Sequence, residues 1–209
     1  MFAVDRDLLA YEPRVFLEVA WAGQTALRQS GSVSGTTLTL AGGDLTAAGV
    51  GVGWVLTTPS VSLEVLEVLG ATQATVSLPR ATSGDAAIPP DSFSNETVRA
   101  VTFRPQIARV HERLMREAGV ALAGESGEPG VGAVANAAQL RELEAFGALA
   151  MVYGAATAYA EGADGNRASY WRGRFSATRE CTRVELDLDG DGAVDAARMF
   201  SARRLTRAW

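Results

Sequence analysis

The clearest hydrophobic pattern in the chain lies between residues 103 and 118. Apolar side chains recur there at spacings of four, three, four and four, at Phe103, Ile107, Val110, Leu114 and Ala118. This spacing is typical of one face of an α-helix. Thr102 is a suitable N-cap for that helix and Gly119 is a natural stop, so the sequence predicts a helix between them.

Two more helices are predicted further along the chain. One runs from about 136 to 160 and aligns leucines with small residues on one face, Leu140, Leu143, Gly147, Ala150, Gly154 and Ala158. Glycine costs a helix about 1 kcal/mol relative to alanine, so these glycines indicate the close approach of another helix. We therefore expect leucine at Gly154 to overpack that contact. The other helix, from about 167 to 180, presents Trp171 and Phe175 on one face.

The hydrophobic period changes before residue 100. Short runs rich in β-branched residues, separated by glycines, predict four or five strands between Ser30 and Arg80, spaced about ten residues apart. Such spacing favours a small barrel or a curled sheet. Short helical turns are expected before these strands, and residues 81–95 are interpreted as a loop or linker.

The chain ends in a predicted β-hairpin. Val184, Leu186 and Leu188 alternate with charged residues, an Asp-Gly turn follows, and residues 194–207 are expected to return as a second strand. The sequence thus predicts an α+β protein with four parts. These are an N-terminal helical or extended segment (1–29), a small barrel-like β section with its linker (30–100), a three-helix core (101–180), and a C-terminal hairpin with a basic tail (181–209).

Composition mostly excludes functions. The chain has 209 residues and a net charge of −5, and all of its basic residues are arginine. This balance does not favour a general nucleic-acid-binding protein. A single cysteine excludes a disulfide framework and a cysteine-based zinc cluster. The N-terminus lacks the pattern of a signal peptide, and the apolar run at 145–160 is too short to cross a membrane.

An aspartate-rich motif near the C-terminus is the sharpest candidate for a metal site. Asp187, Asp189, Asp191 and Asp195 occupy positions 1, 3, 5 and 9 of a calcium loop, with glycine at position 6. Position 12, where a bidentate glutamate belongs, is Arg198. The motif is therefore interpreted either as a hairpin turn built from Asp-Gly units or as a weak, partial calcium site.

Other residue types do not form a recognisable catalytic set. His111 lies off the apolar stripe of its helix and is expected at the surface, and Cys181 is expected to be a small core residue. The acid pairs Glu64 and Glu67, and Glu142 and Glu144, are expected on solvated faces. The glycines at 49, 51 and 53 fail the dinucleotide-binding pattern and predict a turn. No catalytic residue is assigned, and the protein is predicted not to be an enzyme.

Arginines and aromatic residues cluster on the third predicted helix. Arg172 and Arg174 flank its aromatic stripe, and the tail adds Arg203, Arg204 and Trp209. Because arginine and aromatic residues are enriched at protein interfaces, these five are the predicted interface residues. The alternative is an ordinary solvated helix face over an aromatic core stripe.

The layout of the chain resembles the head–tail adaptor (connector) proteins of tailed bacteriophages and related particles. The resemblance rests on the opening DLLAYEP, the helix FRPQIARVHERLMREAGV, the stretch LRELEAFGALAMVYGAATAYA, the aromatic-basic helix RASYWRGRF and the closing hairpin around LDLDGDGAVD. It covers roughly residues 100–209 and the first fifteen residues. The β-rich section would be an insertion into the mostly helical adaptor pattern.

The resemblance implies a structural virion protein that forms a homo-oligomeric ring, typically of twelve copies, below the portal. Its expected partners are other copies of itself, the portal protein and a downstream neck, stopper or tail protein. DNA would pass through the ring without specific binding, and the protein would assemble in the host cytoplasm without a membrane or a cofactor. Two alternatives stay open: a calcium-stabilised binding or adhesion module of a phage tail or surface, and an enzyme with an unrecognised site.

Overall fold

A computed structural model of the chain describes residues 1–122, 129–157 and 163–200. It shows a mixed α+β protein in which a closed β-barrel of six strands joins a group of helices and a C-terminal hairpin. The prediction of an α+β protein with a small barrel in its N-terminal half is confirmed.

The barrel strands are antiparallel and follow one another around the barrel in the order β1-β2-β5-β4-β3-β6, with β1 pairing β6 to close it. Their bounds are β1 (Gln24–Ser34), β2 (Thr37–Leu40), β3 (Val55–Thr57), β4 (Ser62–Val68), β5 (Gln73–Ser77) and β6 (Phe93–Thr102). Closure leaves each barrel strand with a neighbour on both sides, which removes exposed sheet edges.

Alternate residues of these strands point inward and fill the barrel with apolar side chains. The interior residues include Leu38, Leu56, Leu63, Val65, Val76, Val98 and Ala100. Gly31 lets β1 approach β6 closely at the closing seam, because a Cβ there would lie only 2.8 Å from Cγ2 of Val98. Apolar residues that alternate along a strand therefore point into the barrel, and the residues between them point outward.

The barrel extends beyond the predicted β section at both ends. It begins at Gln24, within the predicted N-terminal segment, and its sixth strand ends at Thr102, beyond residue 100. The interpretation of 81–95 as loop or linker is wrong for its last three residues, because β6 starts at Phe93. The polar run SNET did not suggest a strand. It forms the first, largely exposed part of β6, which needs no apolar side chains.

The N-terminal residues form two short helices against the barrel, α1 (Asp5–Tyr11) and α2 (Val15–Glu18), followed by a 3₁₀ turn (Ala20–Ala22). Gly53 contacts α1 directly, since its carbonyl accepts the N–H of Arg6 at 2.9 Å. Its φ of +80° and the nearness of the Val4 side chain both require glycine at this position. The prediction of a turn at this glycine run is confirmed.

Helix α3 (Arg104–Ala118) follows β6 without a loop. Its predicted stripe is buried, and Gly119 ends the helix in the left-handed conformation with a φ of +66°. The N-cap is Phe103, one residue later than predicted, although the Thr102 hydroxyl still accepts the N–H of Arg104. The pattern therefore predicted both the helix and its buried face.

Helix α4 (Ala137–Thr157) packs against α3 and against α5 (Ala163–Cys181). The close approach occurs at Gly147, where a Cβ would lie 2.7 Å from Cγ1 of Val110 and 2.9 Å from the ring of Phe175. A Cβ at Gly154 would meet no heavy atom within 4 Å among the described residues. The expected close approach is therefore found at Gly147, and the expectation of a contact to overpack at Gly154 is wrong. No described helix is both long and apolar enough to span a membrane.

The C-terminal hairpin pairs β7 (Arg183–Leu186) with β8 (Ala196–Met199). Val184 and Leu186 are buried as predicted, but Leu188 lies beyond the end of β7 and is exposed. The second strand is shorter than predicted, and 201–207 lie outside the described residues. Cys181 is exposed, contrary to expectation, because it ends α5 on the solvent side.

The two glycines of α4 give a direct test of this packing. We expect Gly147→Ala to destabilise the protein by about 1–3 kcal/mol, because Val110 and Phe175 must move to admit the methyl group. Gly154→Ala should instead stabilise it by up to about 1 kcal/mol, since alanine favours the helix and the space is open. Urea unfolding of both variants measures the difference, and equal effects would contradict the assigned contact.

Candidate functional site

The aspartate motif forms the tip of the C-terminal hairpin. One carboxylate oxygen from each of Asp187, Asp189 and Asp195 lies within 4.8 Å of the others, whereas Asp191 does not belong to this group among the described residues. Three of the four predicted ligands therefore converge. Oxygen ligands in this number could contribute to a hydrated calcium ion, which takes six to eight in all.

The same carboxylates organise the turn itself. Asp187 accepts the main-chain N–H groups of Gly190 and Gly192 at 2.7 and 2.9 Å, and Asp195 accepts that of Leu188 at 2.6 Å. Both glycines have positive φ, as an Asp-Gly turn requires. The geometry supports a self-contained turn, and calcium binding stays a prediction.

Arg198, at position 12 of the motif, points away from the loop. Its guanidinium donates to the carbonyl oxygens of Ala118 and Gly119 at the end of α3. A cation at a helix C-terminus satisfies carbonyl groups that have no partner within the helix. Arg198 therefore fastens the hairpin to α3.

The arginines of α5 divide into two kinds. Arg167 pairs with Glu18 of α2, and Arg179 pairs with Glu117 of α3. Arg172 and Arg174 are exposed and have no carboxylate at ion-pair distance in the described part of the chain. The first kind joins helices within the protein, whereas the second stays exposed on α5.

Arg172 and Arg174 nevertheless lie on different flanks of α5. A helix turns about 100° per residue, so two positions apart are about 200° around the axis. A single flat docking face on α5 cannot include both side chains. The other predicted interface residues, Arg203, Arg204 and Trp209, lie outside the described residues.

The Arg174 flank carries an ordered group of aromatic side chains. The Arg174 guanidinium lies 4.8 Å from the centre of the Phe146 ring and donates to the Tyr170 hydroxyl at 3.4 Å. Tyr11 meets the same Phe146 ring edge-on at 4.9 Å. Tyr11 and Tyr170 are 41% and 54% exposed. We call Tyr11, Tyr170 and Arg174 the tyrosine–arginine patch.

A groove of about 590 Å³ adjoins this patch at Tyr11. Its walls come from α1, from the loop at residues 79–83 and from the start of α4, and they include Arg6, Arg141 and Glu142. Its charged lining residues are three arginines and two acids, Arg6, Arg80, Arg141, Asp7 and Glu142. The groove extends the exposed surface on which the patch lies.

Sequence reasoning missed a set of buried charges around the N-terminus. His111 was expected at the surface and Glu144 on a solvated face, but both are buried. His111 Nδ1 and Glu144 Oε1 lie 2.6 Å apart, while Oε2 of Glu144 accepts the main-chain N–H groups of Phe2 and Ala3. These expectations are wrong because the pair serves to hold the first residues of the chain against α3 and α4.

The sequence contained a signal for this pair. His111 follows Ile107 by four residues and precedes Leu114 by three, so it continues the buried stripe of α3. Glu144 lies at the start of an apolar run, and the whole segment from Leu143 to Leu149 is buried. A polar side chain on a buried face needs a hydrogen-bonding partner, which the sequence alone did not identify.

Glu64 forms a second buried charged group, although it too was expected on a solvated face. Its carboxylate accepts Nε of Arg6 at 2.8 Å and Nε of Arg80 at 2.5 Å. Arg6 also donates to the main-chain carbonyl of Arg80. The group therefore connects α1, strand β4 and the loop after β5. Glu67, three residues later, is exposed as predicted.

Asp5 completes this network at the junction of the barrel and α3. Its carboxylate accepts the Thr102 hydroxyl at 2.6 Å and the Phe103 N–H at 2.7 Å. Burial raises the pKa of Asp5 to about 7, although both hydrogen bonds act in the opposite direction. Asp7 accepts the N–H of Val4, and burial raises its pKa also.

We call residues 1–11 the N-terminal clasp. Its buried partners are Glu64, Glu144, Thr102 and Phe103. The charged groups of the clasp contact other protein groups and hold the first residues of the chain in place. Comparisons with known protein families, with curated proteins and with solved structures find no significant match to this chain.

The two glutamates of β4 provide a matched test of the clasp. Glu64→Ala leaves Arg6 and Arg80 largely buried without their carboxylate, so we expect a loss of about 3–5 kcal/mol. Glu67→Ala, at an exposed position on the same strand, should change stability by less than about 0.5 kcal/mol. Chemical denaturation measures both, and a small effect at Glu64 would show that the ion pairs are dispensable.

The raised pKa of Asp5 gives a pH-dependent prediction. Between its ordinary pKa of 3.8 and about 7, the folded protein holds a proton that the unfolded chain releases. The Asp5 contribution to stability is therefore complete below 3.8 and is lost as pH rises to about 7, by at most roughly 1.4 kcal/mol per pH unit.

Asp5→Asn should remove this loss while keeping both hydrogen bonds, because the amide oxygen accepts from Phe103 and the amide nitrogen donates to Thr102. The variant should thus gain stability relative to the native protein as pH rises, and level off above about 7. Asp5→Ala, which cannot make either bond, should be less stable throughout. Denaturant titrations at several pH values test this, and a constant difference between Asn and Asp would refute it.

Proposed function

We propose that this protein is a structural component of a tailed-phage or phage-like particle, a head–tail adaptor that forms a ring below the portal and links capsid to neck. The observation that carries the proposal is the tyrosine–arginine patch. It presents two half-exposed tyrosines and an arginine that has no carboxylate partner among the described residues, already ordered around the buried Phe146 ring. Tyrosine and arginine are the residues that dominate the energetics of protein interfaces.

The distribution of buried charge also favours a structural role. Glu64 and Glu144 take up arginine, histidine and main-chain donors from distant parts of the chain. Their hydrogen bonds stabilise the junction between the barrel and the helices, where a ring subunit needs rigidity. Contact with partners is then left to exposed arginines and aromatic residues. Arg172 and the tail residues Arg203, Arg204 and Trp209 are proposed to contact the portal or the downstream neck protein.

The alternative is a calcium-stabilised binding or adhesion module. The specific observation in its favour is the convergence of Asp187, Asp189 and Asp195 at the hairpin tip. The adaptor proposal needs no metal, because main-chain N–H groups already occupy oxygens of these carboxylates.

Electron microscopy of the full chain, alone and mixed with the portal protein of the same particle, tests the proposal. We expect a closed ring or an added layer of density on the portal, because unlike surfaces on one subunit can close into a ring. A monomer that leaves the portal unchanged would contradict the adaptor function. A melting temperature that rises with calcium but not with magnesium would support the alternative.

A further inference from the structure

A second surface with charged groups lies on the barrel, where two acids line a cleft. Asp91 and Glu96 line a cleft of about 350 Å³ together with Val61, Pro89 and Phe93. Neither carboxylate has a hydrogen bond or an ion pair within the described part of the chain. The cleft therefore combines apolar walls with two acids that no described cation pairs. We call it the acidic cleft.

The acidic cleft and the tyrosine–arginine patch are formed by different parts of the chain. Strand β6 starts at the cleft with Phe93 and leads at Thr102 directly into α3, a distance of roughly 30 Å at 3.3 Å per residue. The turn between β3 and β4 contributes Ser60 and Val61 to the same distal end. The patch belongs to α1 and α5.

The two surfaces are complementary in chemistry. A carboxylate accepts hydrogen bonds from both a guanidinium and a tyrosine hydroxyl, and charge-assisted bonds of this kind are strong. The apolar walls at Val61, Pro89 and Phe93 suit the aromatic rings of the patch. The charges also match across larger regions, because α5 carries four arginines against two acids, while the exposed acids of the barrel outnumber its exposed arginines.

We propose that the tyrosine–arginine patch of one copy docks into the acidic cleft of a second copy of this chain, with Arg174 facing Asp91 and Glu96. This inference rests on the proposed ring and names its subunit contact. Because the two surfaces consist of different residues, the proposed contact joins unlike faces of two copies. Repetition of such a contact generates a ring where the rotation closes.

Charge reversal on each side tests the contact by mass photometry or analytical ultracentrifugation of the full chain. Arg174→Glu places an acid against the acidic cleft, and Asp91→Arg with Glu96→Arg places cations against Arg174. Each variant alone should weaken self-association at least about tenfold. An equimolar mixture should assemble again, because every patch then meets a cleft of opposite charge. Arg28→Glu, with the same charge change at an exposed position of β1 outside both surfaces, is the matched control and should assemble normally.

The outcomes separate this inference from the proposed function. Loss of assembly in each variant and its recovery in the mixture support the contact, provided that melting temperatures match the native protein. Assembly that survives both reversals, or a mixture that fails to recover, would overturn the contact while leaving the ring proposal in place. A native protein that stays monomeric at its highest soluble concentration, with and without the portal, would overturn both.

Discussion

The structure depends on the cost of burying carboxylates. An ionised acid that leaves water must find hydrogen-bond donors or cations, otherwise it destabilises the fold or takes up a proton. Glu144 and Glu64 meet this requirement through donors that include the first residues of the chain, at the amides of Phe2 and Ala3 and at the guanidinium of Arg6. The N-terminal clasp therefore supplies part of the hydrogen bonding that these buried acids need, beside Arg80 and His111.

The clasp also explains how a barrel and a group of helices form one protein. Asp5 contacts β6 where it leads into α3, Arg6 contacts β4 through Glu64, and the amides before them contact α4. Leu8 and Leu9 lie in the same buried cluster as Phe103 and Phe146, so apolar packing accompanies the polar contacts. Few residues thus tie the outer wall of the barrel to the helices.

The sequence predicted the features that follow from local periodicity. The buried stripe of α3, its end at Gly119 and the alternation at Val184 and Leu186 each concern a single element, and each is confirmed. Pairings between distant residues were not predictable in this way. Whether Gly147 or Gly154 is crowded depends on Val110 and Phe175, which come from two other helices.

Prediction of the candidate surfaces was limited in the same way. Features of a single element could be predicted from the sequence, but pairings between elements could not. The arginines of α5 were recognisable from sequence, but which of them are already paired depends on Glu18 and Glu117. The helical pattern alone could have separated Arg172 from Arg174, since two positions differ by about 200° around the axis. The role of Tyr11 could not be predicted, because it meets the Phe146 ring, which Arg174 also contacts, only once α1 packs beside α4.

Native-state hydrogen exchange tests the central role of the clasp most directly. The decisive amides are those of Ala3, held by Glu144, and Phe103, held by Asp5, compared with Leu56 in the barrel strand β3. If the clasp joins barrel and helices into one cooperative unit, all three should exchange only through global unfolding, with the same free energy of opening. Rapid exchange at Ala3 and Phe103 while Leu56 stays protected would show that the clasp opens locally and would contradict this account.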